Sequence, residues 1–372
     1  MKSPHSHALS VLVFPEDKNN PYQQMLYEPM KKEGIKISYL GHATSSASIN
    51  VFLRPFQIIA YRIRGVRIVH IHWVNAFVPA MYLWRETPFN IIAYIMYVIT
   101  LMTIHFSGCK IVWTAHNVLP HEPVFKGNRE LRARQFLVTI ADLVITHSES
   151  GLTTLLSSGF SPKNHVVIPH GNYIGAYANT IDRSHAREQL NLSSNAFIFL
   201  FLGQIRDYKG VDLLLESYTH VRTPETILLI AGTCKDARLR DILSTATTSD
   251  SSIIWHDIFI PDSDLQYYFS ASDIVVLPFK KITTSGSALL SLSFGKAVIT
   301  PNIGDVASLP TSIAYTYNPN DIDGLRNILT DVLNQKEKVH KSGNAARIYA
   351  ETFSWNDIAH MTKKAYKSLL LK

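Results

Sequence analysis

Short, near-continuous apolar runs recur along the chain, each closed by polar residues and followed by a longer stretch of helical period. In the first half these are residues 8–14 (ALSVLVF), 37–40, 66–73 (VRIVHIHW), 110–117 (KIVWTAHN), 141–151 and 165–173. Runs that do not alternate apolar with polar residues predict strands buried on both faces, and such strands belong to parallel sheets with crossover helices. The second half repeats the scheme. Residues 199–218 (FLFLGQIRDYKGVDLLLESY) read as strand, basic loop and helix, and residues 273–300 as strand, hydroxyl-rich loop, helix and strand. A linker near residues 174–183 separates two α/β domains, expected at 1–174 and 175–352, with a closing segment at 353–372.

Residues 89–106 (FNIIAYIMYVITLMTIHF) carry no charged side chain and just reach the length of a membrane-spanning helix. They lie where a crossover helix must join two parallel strands. A helix that crossed a bilayer would deliver the next strand to the wrong side. The pattern therefore predicts a crossover helix, either buried or with an outer face that dips into a membrane; the second is favoured, with residues 54–67 supplying positive charge.

Composition narrows the partners. Of 372 residues, 46% are hydrophobic and 17% charged, which describes a folded rather than a disordered chain. The net charge of +7 is unevenly placed, with 16 Lys and Arg against 9 Asp and Glu in residues 1–175 and 20 against 20 in the remainder. Aromatic residues are not interleaved with the basic ones and no helix-turn-helix or RNP-type signature is found, so an anionic membrane or a diphosphate-bearing substrate is expected rather than nucleic acid. Cys109 and Cys234 stand far apart without metal-type spacing, and the opening residues lack the long apolar core of a signal peptide. A cytoplasmic protein, peripherally attached to the inner face of the cell membrane, is expected.

Three stretches carry chemistry. In residues 277–301 a strand runs through Thr283, Thr284, Ser285, Gly286 and Ser287 into a helix. A helix start offers unpaired N–H groups and the positive end of a dipole, so this loop can hold a phosphate; a plain capped helix would look the same. In residues 203–210, Arg206 and Lys209 follow a strand directly. In residues 113–123 (WTAHNVLPHEP) a strand delivers His116 and Asn117 to the sheet edge, with His121 and Glu122 in the loop beyond, and an imidazole can take or give a proton near neutrality. The loop after the first strand places Asn20 and Tyr22 over a doubly wound sheet's crevice. His70 and His72 lack a third metal ligand nearby and suit hydrogen bonding better than metal.

Together these stretches resemble the glycosyltransferases of GT-B fold, and among them family 4. The resemblance rests on a strand followed by Gly203, Lys209, Gly210 and a helix, on Ala231-Gly232, on Ser272, Asp273 and Pro278, and on residues 295–299 (GKAVI). It implies two Rossmann-like domains facing each other across a cleft, the closing helix packed back toward the first. It also implies transfer of a hexose-type sugar from a UDP- or GDP-sugar to a saccharide or lipid-linked saccharide acceptor in surface polysaccharide biosynthesis. Arg206 and Lys209 would clamp the diphosphate together with Thr284, Ser285, Gly286 and Ser287. Phe259 would border the nucleobase, and Asn20, Tyr22 and Asn117 the acceptor. His116, or else His121 with Glu122, would serve catalysis, and no metal or other cofactor is expected. The family's paired glutamates are replaced by Ile282 and Leu290. That departure keeps a second reading open, a catalytically silent sugar-nucleotide-binding partner, and disfavours a third, an epimerase on the same fold.

Overall fold

The computed structural model describes residues 9–371 except 19, 79–87, 119, 121 and 122. His121 and Glu122 lie outside the described residues. The chain divides into two compact units, Met1–Gly171 with Trp355–Lys372, and Asn172–Ser354.

The first unit is built on β1 (Ser10–Phe14), α1 (Pro21–Lys32), β2 (Lys36–Tyr39), α2 (Ala47–Ile63), β3 (Ile68–Ile71), α3 (Phe89–Phe106), β4 (Lys110–Thr114), α4 (Asn128–Ile140), β5 (Leu143–Thr146), α5 (Glu149–Ser157) and β6 (His165–Val167). Its sheet has the order β2-β1-β3-β4-β5-β6, and every pairing is parallel. β1, β3 and β5 are buried along their whole length while edge strands β2 and β6 are partly exposed, which is why only the inner strands are continuously apolar. α3 joins β3 to its parallel neighbour β4, so it is the expected crossover helix. Its inner face buries Ala93, Tyr97, Leu101 and Ile104, and its outer face exposes Phe89, Ile91, Ile92, Ile95, Ile99 and Phe106.

The second unit follows with α6 (Arg183–Gln189), β7 (Phe197–Leu202), α7 (Val211–Val221), β8 (Thr226–Ala231), α8 (Ala237–Ser249), β9 (Ile253–His256), α9 (Leu265–Ala271), β10 (Ile274–Val276), α10 (Gly286–Ser293), β11 (Val298–Pro301), β12 (Ala314–Tyr317), α11 (Gly324–Asn334) and α12 (Lys336–Glu351). Its parallel sheet runs β12-β11-β10-β7-β8-β9. The last helix, α13 (Trp355–Leu371), belongs to the first unit and packs on α1.

Each sheet reverses its winding once, between β1 and β3 in the first unit and between β7 and β10 in the second. Loops leaving the carboxyl ends of strands at such a point diverge and leave a crevice, where ligands of open α/β sheets bind. The two switch points fall on stretches singled out in the sequence.

Candidate functional site

In the second unit the β7 and β10 loops are tied together at the switch point. The Lys280 amide donates to the Tyr208 carbonyl (2.8 Å), and Gly210, at φ 71°, passes so close to Pro278 that a Cβ would collide with its carbonyl oxygen. Glycine is required there on both counts. The Lys209 side chain folds back over Gly203, where a Cβ would come within 2.9 Å of the ammonium. Withdrawal from water, with Arg206 beside it, pushes the Lys209 ammonium down to about 8. Nearby Lys280 is neutralised by Asp207 and Asp212 at 3.0 and 2.8 Å, whereas Lys209 has no hydrogen-bond or ion-pair partner among the described residues.

At the end of β10, Ser285 caps α10 by accepting the Ala288 N–H (3.0 Å), and its own N–H goes to the Asp305 carboxylate (2.9 Å). The Ser285 side chain is thus spent on the helix. Within the loop the N–H groups of Gly286 and Ser287, at the first two helical positions, remain to meet an anion. Asp305 and Tyr173 escaped the sequence reading. Burial pushes the Asp305 carboxyl up to about 6, and the Tyr173 hydroxyl abuts Gly286. Both reach the loop from distant segments with no local signature. Phe259 is 77% exposed on the loop after β9, at the same edge of the sheet. Gln204 is exposed.

In the first unit four histidines gather around Tyr22. The Tyr22 ring meets His72, His116, His147 and His170 edge-on at centroid distances of 4.8 to 5.7 Å, with Trp73 and Trp355 completing the shell. Tyr22, expected at an acceptor, is only 3% exposed and is instead the centre of this aromatic cluster. That corrects its assignment: a ring enclosed on all sides cannot meet a ligand. Asn20 caps α1 through the Tyr22 N–H (3.0 Å) and lines a cleft described below; Asn117 is half-buried at the end of the β4 loop.

The hydrogen bonds run in one direction. His147 Nδ1 meets the Ile168 carbonyl (2.9 Å), which only accepts, so the hydrogen is on Nδ1 and Nε2 accepts from His116 Nδ1 (3.2 Å). His116 Nε2 then accepts from His72 Nδ1 (3.1 Å), and His72 Nε2 from the Tyr27 hydroxyl (2.7 Å), whose oxygen also lies 2.7 Å from His70 Nδ1. His70 Nε2 closes the chain on Thr114 (2.7 Å), with the α13 hydroxyl of Tyr366 against His70 Nδ1. One carbonyl thereby fixes three neutral tautomers, those of His147, His116 and His72. Burial lowers every one of these imidazoles, reinforced by their mutual repulsion at His70, His72 and His116. His147 falls to about 4, His70 and His170 to about 3, and His72 and His116 well below the usual value. Both nitrogens of His116 are engaged by other histidines, which leaves neither for a sugar hydroxyl in this arrangement. Its ring instead stacks on Trp73 (4.8 Å, 11°).

Residues 182–349 match the family described as glycosyl transferases group 1. The chain is 28% identical over 235 residues to a GDP-mannose:glycolipid 4-beta-D-mannosyltransferase of Xanthomonas campestris pv. campestris, an alignment covering 63% of this chain and 61% of that protein. The chain thus spans about three-fifths of the curated relative's length. Among solved structures it resembles sucrose-phosphate synthase from Thermosynechococcus elongatus (TM-score 0.75, 16% identity, 98% of this chain and 99% of that one) and Anabaena HepE in complex with UDP-glucose (TM-score 0.72, 15% identity, 97% and 100%). The fold is GT-B, and within the second unit residues 182–349 are similar to the glycosyl transferases group 1.

Proposed function

We propose that the chain transfers a hexose from a UDP- or GDP-sugar to a lipid-linked saccharide at a membrane surface. The observation that carries this reading is Lys209, an ammonium partly withdrawn from water with no anionic partner among the described residues, set beside Arg206 at the switch point of the sheet that matches the group 1 family. Burying an unpaired cation is costly, so such a group marks a place where an anion completes the site. A sugar diphosphate suits it: Arg206 and Lys209 would hold the phosphates while the Gly286 and Ser287 amides meet the developing charge of the leaving group. The group 1 match, the GDP-mannose transferase relative and the UDP-glucose complex of HepE support this donor class. Two cations and a helix start can do the charge neutralisation elsewhere assigned to a metal, so the reaction is expected to survive EDTA. The test is release of UDP or GDP by the purified chain from a panel of sugar nucleotides, with and without bacterial glycolipid extract. Failure to bind any of them sinks the reading. Binding without release under every condition supports the silent partner, which the loss of both family glutamates at Ile282 and Leu290 favours.

Membrane contact is proposed through α2 and α3, which pack side by side. Phe56, Ile59 and Ile63 are 70%, 46% and 81% exposed on α2, adjoining the apolar outer face of α3, and Arg64 and Arg67 lie exposed at the end of α2. Apolar residues rimmed by arginine fit the boundary between acyl chains and anionic headgroups. Arg54 is not part of that charge. It is 6% exposed, with its guanidinium on the Ala76 and Phe77 carbonyls (2.8 and 3.0 Å). The chain is expected to float with phosphatidylglycerol vesicles, partly resisting high salt, and Phe56→Asp with Ile63→Asp is expected to abolish the salt-resistant fraction. A chain that never floats with anionic vesicles excludes this contact.

A further inference from the structure

Four charged side chains ring the turn that carries Lys209. Asp207, two residues before it, receives Arg238 from the first turn of α8 (2.8 Å) and Lys280 from the β10 loop (3.0 Å). Asp212, three residues beyond it in the first turn of α7, receives the same Lys280 (2.8 Å), with Arg238 at 3.9 Å. Both carboxylates are thus shared by the same two cations. The β7, β8 and β10 loops, which leave the second sheet at one edge, each contribute to the ring.

Lys209 lies between these carboxylates in sequence, yet among the described residues it forms an ion pair with neither. Its side chain folds back over Gly203, and the charge that acts on it is that of Arg206. Two carboxylates flanking a lysine would ordinarily capture it, because the ammonium rides on a flexible four-carbon stem. Asp212 has capacity for this: its Oδ1 is buried with no hydrogen-bond partner among the described residues. A captured Lys209 would no longer be available to an incoming anion, and apparent affinity would fall with the fraction of molecules still competent to bind.

We infer that Lys280 and Arg238 are positioning residues of the phosphate site: they occupy Asp207 and Asp212, so that the Lys209 ammonium stays unpaired over Gly203 for a diphosphate. The inference deepens the donor side of the function proposed above and rests on that reading. Exposed ion pairs taken singly contribute little, but a closed ring of four charges holds better than its separate pairs and has only one lysine to outcompete. Lys280 is also fixed at its backbone, where its amide donates to the Tyr208 carbonyl (2.8 Å), directly beside Lys209 in the chain.

The experiment measures UDP and GDP affinity of the full chain by calorimetry at low ionic strength, at pH 7 and pH 9. Lys280→Ala combined with Arg238→Ala is expected to bind several-fold more weakly at pH 7 than the unaltered chain. Both side chains are partly exposed, so the core survives their removal. The same variant is expected to lose the decline in affinity between pH 7 and pH 9, because a lysine captured by carboxylates keeps its proton to higher pH. Adding Asp207→Asn and Asp212→Asn removes the captors, and is expected to restore both the affinity and its decline. This rescue excludes the rival explanation. If Lys280 and Arg238 gripped the phosphates themselves, no change at Asp207 and Asp212 could return the affinity. Failure of the rescue therefore overturns the inference, as does a Lys280→Ala, Arg238→Ala variant that binds like the unaltered chain. Because the unaltered chain is measured alongside, either result with its nucleotide binding intact refutes this inference alone. An unaltered chain that binds neither UDP nor GDP would instead remove the function it rests on.

Discussion

Between pH 7.5 and pH 5 the first unit is expected to lose about 4 kcal/mol of stability through His70 and His147 alone, a large share of what a domain possesses. The source is the buried imidazole chain. His70, His72 and His147 are 0%, 2% and 7% exposed and are held neutral by burial, with folded values of about 3 for His70 and about 4 for His147 and a strong depression at His72. In the unfolded chain each titrates near 6.5. Folded values below the unfolded one mean that the unfolded state binds more protons between about pH 6.5 and 4. Stability is therefore complete above 6.5 and falls as pH drops through that window, by about 2 kcal/mol at pH 5 for each of His70 and His147, with His72 acting in the same direction. Most carboxylates remain ionised there, so the loss belongs to histidine. Urea unfolding at pH 7.5, 6 and 5, followed by near-ultraviolet circular dichroism, measures it. His147→Gln is expected to lessen the pH dependence by about 2 kcal/mol. Equal midpoints at pH 7.5 and 5 would contradict the neutral chain.

Lys209→Ala and Arg206→Ala are each expected to weaken UDP or GDP binding by about 1.5–3 kcal/mol, roughly tenfold to a hundredfold and more, because each removes a charge-assisted contact to a phosphate. Lys209→Ala should cost no stability, since the half-buried ammonium it deletes has no ion-pair partner among the described residues. The two variants differ in pH response. Lys209 in the empty site sits at about 8, so its charge, and the affinity it supplies, is present at pH 7 and declines as the pH rises through 8. Arg206→Ala keeps that decline and Lys209→Ala loses it. Calorimetric titration with GDP and UDP at pH 7 and 9 distinguishes them. Unchanged affinity in both variants would remove the clamp and with it the donor assignment.

The second unit was the more legible because its signals are local. Gly203, Arg206, Lys209 and Gly210 lie within eight residues, and the strand, loop and helix that fix their geometry are contiguous. The hydroxyl loop was legible as a helix start, but not the use of Ser285 as its cap, nor Asp305, which reaches it from 20 residues away. In the first unit the sequence marked His70, His72 and His116 without showing that they hydrogen-bond into one chain. Their partners stand 31, 44 and 296 residues off, at His147, between His72 and His116, and at Tyr366. Arg54 shows the same limit. Beside Arg62, Arg64 and Arg67 it reads as surface charge, and only the packing of α2 on the β3 loop turns it inward.

By itself the sequence determined that two parallel α/β sheets form, since continuously apolar strands separated by amphipathic segments can be buried only between layers of helices. It also determined which loops leave the strands at the ligand-bearing edge and that two cations lie in one of them. Tertiary structure decided which titratable groups are withdrawn from water and which partners they find there. Burial and hydrogen bonding are set by atoms brought together from distant parts of the chain, so His116 came to bridge two other histidines and stack on Trp73, and the Lys209 ammonium came to be half-buried with no ion-pair partner among the described residues.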